Sequence, residues 1–326
     1  TERLNHIEEI DLRGRLIRVQ PGLTLGELNT ALGMQGLCLP IDYDSRTTIG
    51  GLIANCPNDD ASARHGGIYH YVERIEVVLS SGDLVQLGPI GSHALSQKIS
   101  ETSFEGKVYR RIDELLDEYA DTVIDRGMQR FSGAGYANIT RVRNAHHFNL
   151  MPLFFSAQGT LGIITDIILR VEVLPPPTRR LALTLRDTKT LLRFLNFVSD
   201  LDPRTLKVFD LRIIKETTTH GKQPDLLPRE LGEGWLVLAS FDDRKLKSSK
   251  KIQHCLEVLP VGTFVAEETV DNTVAFQEFD STILSYLNDS NDGERSPIID
   301  DVYIPRYRFE EFVEKLEMVS ETLDLK

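Results

Sequence analysis

One stretch, Leu39–Gly67 (LPIDYDSRTTIGGLIANCPNDDASARHGG), limits what this chain can fold into more than any other. It is short of large apolar residues and rich in Gly, Ser, Thr, Asn and Asp. Segments that read as strands bound it on both sides, so a rigid frame is expected around it. Gly50-Gly51 stands between Thr48-Ile49 and Leu52-Ile53-Ala54-Asn55. Paired glycines let a backbone come close to a ligand, and unobstructed N–H groups suit an anionic group. The plain alternative is a loop with a tight turn.

Its neighbours weigh against the plain alternative. Pro21-Gly22, TIGG (Thr48–Gly51), HGG (His65–Gly67) and GTLGI (Gly159–Ile163) are glycine-bearing turns, each next to an expected strand. Turns of this kind converging from one domain would suit an extended, phosphate-bearing ligand. None is the G-x-G-x-x-G fingerprint or a P-loop with its lysine.

Along the chain, Leu4–Glu9 reads as a turn of mixed polarity and Leu16–Gln20 as a strand. Thr24 and Glu27 form a capping box that opens a helix with a Leu25, Leu28, Leu32 stripe. Val72–Leu79, Ser81-Gly82-Asp83 and Leu84–Leu87 read as a hairpin. Gly88–Gly106 lacks a period and reads as an exposed excursion. Lys107–Ile124 has helical spacing, and Ile163–Val173 reads as a strand with apolar residues on both faces. Pro175-Pro176-Pro177 is a stiff break, which places the expected domains at 1–177 and 178–326. Beyond it, strands are expected at Leu181–Leu185, Leu206–Ile214 and Trp235–Phe241. Helices are expected at Thr190–Leu201, Lys245–Val258, Val270–Leu287 and Phe309–Leu323. The expected class is α+β, with helices on one face of the second sheet.

A net charge of −12 argues against a nucleic-acid partner, which needs a basic footprint. No apolar run approaches ~18 residues, so no transmembrane helix is expected, and the N-terminus has no apolar signal-peptide core. Cys38, Cys56 and Cys255 are widely spaced, which fits a reducing compartment, the cytoplasm, and argues against a cysteine-ligated metal site. Cys56 is expected as a small buried filler.

Five segments then carry a resemblance: VQPGLTLGELN (Val19–Asn29), LP…TIGGLIAN (Leu39–Asn55), IEVVLSSGDLVQLG (Ile75–Gly88), SGAGY (Ser132–Tyr136) and SAQGTLGIITDIILRVEVLP (Ser156–Pro175). In this order they resemble the FAD-binding domain of the vanillyl-alcohol oxidase/PCMH flavoprotein superfamily, in its D-lactate, glycolate and 2-hydroxyglutarate dehydrogenase branch. The resemblance implies a PCMH-type FAD-binding domain followed by a ferredoxin-like α+β cap domain. It implies FAD as cofactor, a D-2-hydroxy acid as substrate, and an electron-accepting partner such as an iron–sulfur domain or a quinone. Position by position, it implies FAD contacts from Pro21, Gly22, Pro40, Ser45, Thr48, Ile49, Gly50 and Gly51. It extends them to Asn55, Arg64, Gly66, Gln158, Gly162, Ile163 and Ile164.

The chain also departs from the family. A glycine-rich R-G-x-G-T/S loop would precede Thr1 and an H-x-G-D-G-N-x-H motif would follow Lys326; neither is in the sequence. Asp59, Ala61 and Gln158 stand where Gly, Arg and Glu are usual. Two readings follow: a piece of a longer enzyme, or a non-catalytic family member acting as scaffold or partner subunit. His65 and Arg295 are the candidates for catalysis. Arg295 and Arg306 could bind a substrate carboxylate, with solvated or Asp-paired arginines as the plain alternative. His146-His147 is read as a pair of exposed loop histidines, Trp235 as core, and Asp113–Glu118 as a solvated face.

Overall fold

The computed structural model describes residues 3–57, 65–127, 136–220, 226–227, 232–242, 247–259, 263–269, 271–276, 279, 304 and 306–323. The chain divides into two compact units, Thr1–Leu174 and Pro175–Lys326.

The first unit is built on an antiparallel sheet of order β1-β2-β6-β4-β5. Its strands are β1 (Ile7–Asp11), β2 (Leu16–Val19), β4 (Val72–Val78), β5 (Leu84–Leu87) and β6 (Ile163–Arg170). The two-residue strands β3 (Leu37–Cys38) and β7 (Glu172–Val173) pair separately. Alternation sets the two faces of the sheet. Ile17, Val19, Ile75, Val77, Val85, Leu87, Ile167 and Leu169 are buried on one face. On the other, Arg18 donates from Nε to both carboxylate oxygens of Asp166 at 2.9 Å.

Two short helices fill the buried face. In α1 (Leu25–Gly33) the capping box forms as expected, with the Thr24 side chain accepting from the Glu27 N–H and the Glu27 carboxylate accepting from the Thr24 N–H. Leu25, Leu28 and Leu32 are its buried stripe. Helix α2 (Ile49–Asn55) buries Ile49, Leu52 and Ile53.

Three local readings change. Leu4–Glu9 is not a turn: from Ile7 it becomes an edge strand, because Ile7 lies opposite Val19 and a bulge absorbs the irregular pattern before Glu9. Gly88–Gly106 contains a helix, α3 (Ser92–Ser100), with no fully buried residue. Only Leu95 and Ile99 lean on the core, which is why its period is faint. The expected single helix at Lys107–Ile124 is two, α4 (Phe104–Glu118) and α5 (Ala120–Gly127), broken where Tyr119 leaves helical geometry (φ −113°, ψ 27°).

Tyr109 of α4 is 1% exposed, with its ring 5.8 Å from that of Phe148. Burial, then the carboxylates of Glu105 and Glu101, push its phenol up to about 12. Because the folded value is raised above that of the unfolded chain, the associated stability is whole below about pH 10 and is lost as pH rises toward 12. Over that window wild type should lose about 2 kcal/mol more than Tyr109→Phe. Parallel urea midpoints for the two proteins from pH 9.5 to 11.5 would refute this.

The second unit carries an antiparallel sheet of order β11-β8-β10-β9. Its strands are β8 (Thr178–Leu185), β9 (Thr205–Asp210), β10 (Trp235–Asp242) and β11 (Val265–Glu267). In chain order this is the 4-1-3-2 arrangement of a ferredoxin-like sheet. One face packs on α6 (Thr188–Asp200) and α8 (Lys247–Glu257), through Leu191, Phe194, Val198, Ile252 and Cys255. The other face is covered too, by Leu211 and Ile214 of α7 (Leu211–His220) with Leu226, Leu227, Phe276 and Phe279. This corrects the reading of helices on one face. The run WLVLASF in β10 puts apolar residues on both sides, as a doubly covered strand requires.

The reading of Leu206–Ile214 as one strand also changes. The strand ends at Asp210, whose carboxylate accepts the Arg212 N–H, while the Leu211 N–H donates to Gly234 O at 2.9 Å. Helix α9 (Phe309–Thr322) closes the described chain. Trp235 is half-buried at the edge of the core and donates to Thr188 Oγ1 at 3.3 Å. Residues 273–276 are helical; most of the expected Val270–Leu287 helix lies outside the described residues.

Candidate functional site

Helix α2 is the piece on which the glycine-bearing turns meet. Its N-terminal end is sewn to the Pro21-Gly22 turn: the Ile49 N–H donates to Leu23 O at 2.9 Å and the Gly50 N–H to Pro21 O at 2.8 Å. Two further bonds tie the preceding loop to α1, from the Leu25 N–H to Thr47 O and from the Gly26 N–H to Ser45 O, both 2.9 Å. Asn29 of α1 holds Leu39, and with it the Pro40 corner, by accepting the Leu39 N–H at 2.8 Å and donating to Leu39 O at 3.3 Å.

The glycine pair therefore sits in the first turn of a helix and not in an open loop. Thr48 caps the helix, its hydroxyl accepting the Gly51 N–H at 3.2 Å. A β-carbon on Gly50 would stand 2.7 Å from Pro21 Cβ and 3.0 Å from Pro21 O. The amides of Ile49, Gly50, Gly51 and Leu52 all donate within the chain, so Gly50 serves close packing before anything else.

At the other end of α2, Cys56 is left-handed (φ 44°) and closes the helix by donating to Leu52 O. The Ser156 N–H donates to Ile53 O at 3.3 Å, the Gln158 N–H to Ala54 O at 2.9 Å, and the Ser156 hydroxyl to Asn55 O at 3.5 Å. Gly162 presses on β4, since a β-carbon there would lie 2.7 Å from Val78 O. Ile163 and Ile164 pair with Val78 and Val77 at the start of β6, and Ile163 is 65% exposed. The Tyr136 hydroxyl is hydrogen-bonded to Thr160 Oγ1 on the same turn.

The HGG turn joins through aromatic packing. Gly66 is left-handed (φ 74°) and its α-carbon lies against the His70 ring. Tyr69 meets His70 at 4.2 Å and Phe155 edge-on at 6.4 Å between ring centres, with the Arg141 guanidinium 5.4 Å from its ring centre. Partial burial, then the positive charges of Arg141 and Arg170, lower the His70 pKa and keep the ring neutral near pH 7. His65 is half-buried, and its carbonyl accepts the Tyr71 hydroxyl at 3.1 Å.

Arg64, Arg295, Asp59, Ala61 and residues 132–135 of SGAGY lie outside the described residues. Arg306 opens a one-turn helix in the second unit. His146 is exposed and His147 half-buried, and the backbone N–H of each donates to Asn144 Oδ1. Cys56 is 2% exposed, in keeping with a small filler. Among the described residues, no group of three His, Cys, Asp or Glu side chains converges to hold a metal. Within them, no helix is long and apolar enough to cross a membrane. Sequence reasoning missed Ser156 and Asn29, because neither residue type signals a long-range backbone contact.

The groups offered at these turns suit a dinucleotide. Ser45, Asn55 and Gln158 are exposed, and Thr47 and Thr48 half-exposed; all are neutral hydrogen-bonding side chains. Beside Ser45, the Arg46 guanidinium holds the Asp44 carboxyl down at about 2 and balances its charge. The arrangement is that of a protein of mixed α and β structure with neutral hydrogen-bonding groups gathered on α2 and its neighbouring turns.

Comparisons agree with that class. Residues 1–88 match the model of an FAD binding domain family. D-2-hydroxyglutarate dehydrogenase of Pseudomonas putida is 27% identical over 221 residues, covering 66% of this chain and 22% of that protein. D-lactate dehydrogenase of Anaerostipes hadrus is 24% identical over 247 residues, covering 74% of this chain and 41% of that protein. Among solved structures, an alkyldihydroxyacetonephosphate synthase aligns with a TM-score of 0.56 at 18% identity, over 89% of this chain and 47% of that one. This chain thus spans less than half of each of these proteins. Over residues 1–88 the chain is similar to an FAD binding domain, and the curated proteins it resembles over a longer stretch include 2-hydroxy-acid dehydrogenases.

Proposed function

We propose that this chain carries the cofactor-binding part of an FAD-dependent dehydrogenase that oxidises a D-2-hydroxy acid such as lactate, glycolate or 2-hydroxyglutarate. The observation that carries this reading is the convergence of the glycine-bearing turns on α2, within a chain whose relatives include D-2-hydroxyglutarate and D-lactate dehydrogenases.

In this reading Pro21, Gly22, Pro40 and Ser45 hold one side of FAD. The Thr48–Gly51 turn, seated by the packing of Gly50 on Pro21, lies close to it, and Asn55, Arg64 and Gly66 flank it. Gln158, Gly162, Ile163 and Ile164 close over its far end. When bound, FAD supplies the redox chemistry as hydride acceptor, while the protein binds and orients. The chain's own part is to hold this surface rigid: the amides of the α2 N-terminus are spent on keeping Pro21 and Thr48 in place. His65 and Arg295 remain the candidates for substrate contact, with Arg306 as a carboxylate partner. An electron-accepting partner, an iron–sulfur domain or a quinone, completes the cycle. Three widely spaced, buried cysteines favour the cytoplasm as its place of work.

The test is the visible spectrum of the purified protein after FAD loading and desalting. Retained flavin bands that bleach on anaerobic addition of D-lactate, glycolate or D-2-hydroxyglutarate are expected. A colourless protein after loading would overturn the cofactor assignment to these residues. Retained flavin that none of the three acids bleaches would leave a non-catalytic scaffold as the better reading.

A further inference from the structure

Ser156 and Gln158 both adopt left-handed backbone, at φ 63° and 50°, and Gly159 follows at 74°. Side-chain-bearing residues in this region meet their own carbonyl and persist only where the surroundings hold them. For Ser156 the surroundings are visible. It is 5% exposed, its N–H donates to Ile53 O, and its hydroxyl donates to Asn55 O, 101 residues away in the chain. With the Gln158 N–H on Ala54 O, one turn takes successive carbonyls of the last turn of α2, which a helix otherwise leaves open. The Thr160 hydroxyl donates to Ala157 O at 2.6 Å, closing the turn on itself. Residues 158–161 are left exposed above this anchor.

We propose that Ser156 is a positioning residue for the cofactor: by closing the C-terminal end of α2 it holds the Gln158–Leu161 backbone in register with Thr48–Asn55, so two turns distant in sequence present one preformed surface. This deepens the functional reading above and rests on it. Ser156 is not expected to touch FAD; it acts through α2. A preformed surface spares the ligand the cost of ordering it.

The test uses the full chain, Ser156→Gly, which keeps the left-handed conformation, and Ser156→Val, whose β-branch resists it. FAD affinity, the visible circular dichroism of bound flavin, and amide exchange at 53–56 and 156–160 are read together. Ser156→Val should bind FAD about tenfold more weakly, the factor a left-handed penalty corresponds to, with an altered flavin dichroism. Ser156→Gly should restore affinity to within about threefold of wild type. In the wild type without FAD, the Ser156 and Gln158 amides should exchange as slowly as those inside α2. Wild-type affinity in Ser156→Val, or free exchange of those two amides in wild type, overturns the proposal. The exchange result stands even if Ser156→Val fails to fold. Wild type that binds no FAD strikes the functional reading, whereas wild type and Ser156→Val binding FAD equally strikes this proposal alone.

Discussion

Gly50→Val should melt the first unit roughly 6–12 °C below wild type, the equivalent of about 3 kcal/mol in a unit of this size. The reason is a backbone contact that cannot yield cheaply. The added Cβ would stand 2.7 Å from Pro21 Cβ, 3.0 Å from Pro21 O and 3.4 Å from Pro21 Cα. Relief would require parting α2 from the Pro21-Gly22 turn and stretching the 2.8 Å bond between the Gly50 N–H and Pro21 O. Alanine is the better helix former by about 1 kcal/mol, so Gly50→Ala gains back part of what the clash costs and should fall between the two. The same substitution should abolish FAD retention, because it moves turns that the functional reading places against the cofactor. Calorimetry with and without FAD checks both. A melting temperature within about 2 °C of wild type would show that α2 can stand off from Pro21 without loss.

In the second unit the largest effect is expected at Gly234, where Gly234→Ala should cost about 4 kcal/mol. Here the backbone angle and the space act together. Gly234 has φ 120°, outside the range L-residues adopt, and a β-carbon would lie 2.2 Å from Leu185 O and 2.9 Å from Arg186 Cα. The residue sits where β10 enters between two neighbours, with Trp235 opposite Leu185 on one side and Asp210 on the other. Its carbonyl also accepts the Leu211 N–H, in register with the Trp235–Asp210 pair, just where β9 gives way to α7. Trp235 is the one tryptophan of the chain, so its fluorescence reports unfolding next to the substitution. Denaturant midpoints that coincide for wild type and Gly234→Ala would refute the argument.

Much of the first unit was legible from local signals. The capping box at Thr24 and Glu27, the leucine stripe of α1, the Ser81-Gly82-Asp83 hairpin and the strands at Leu16 and Val72 all follow from neighbours within a few residues. The family resemblance, carried by ordered motifs, was legible in the same way and brought the cofactor with it. The failures share one cause. Ile7–Asp11 pairs with a strand beyond a turn, Ser92–Ser100 buries nothing fully, and Leu211–Ile214 leave the strand to cover the far face of the second sheet. In each case the deciding partner is absent from the local window.

By itself, then, the sequence determined the class of fold, the periodic elements and the presence of glycine at the turns, because these depend on side-chain type and spacing over a few residues. Tertiary structure alone decided what the glycines are for. Gly50 lies against Pro21, Gly162 against Val78 and Gly234 against Leu185, contacts between backbones far apart in the chain. It also decided that the amides at the α2 N-terminus are already in use, and that Ser156 closes the other end of that helix in a left-handed conformation. Backbone angles and hydrogen-bond partners across such distances follow from packing, and packing is set by all the elements at once.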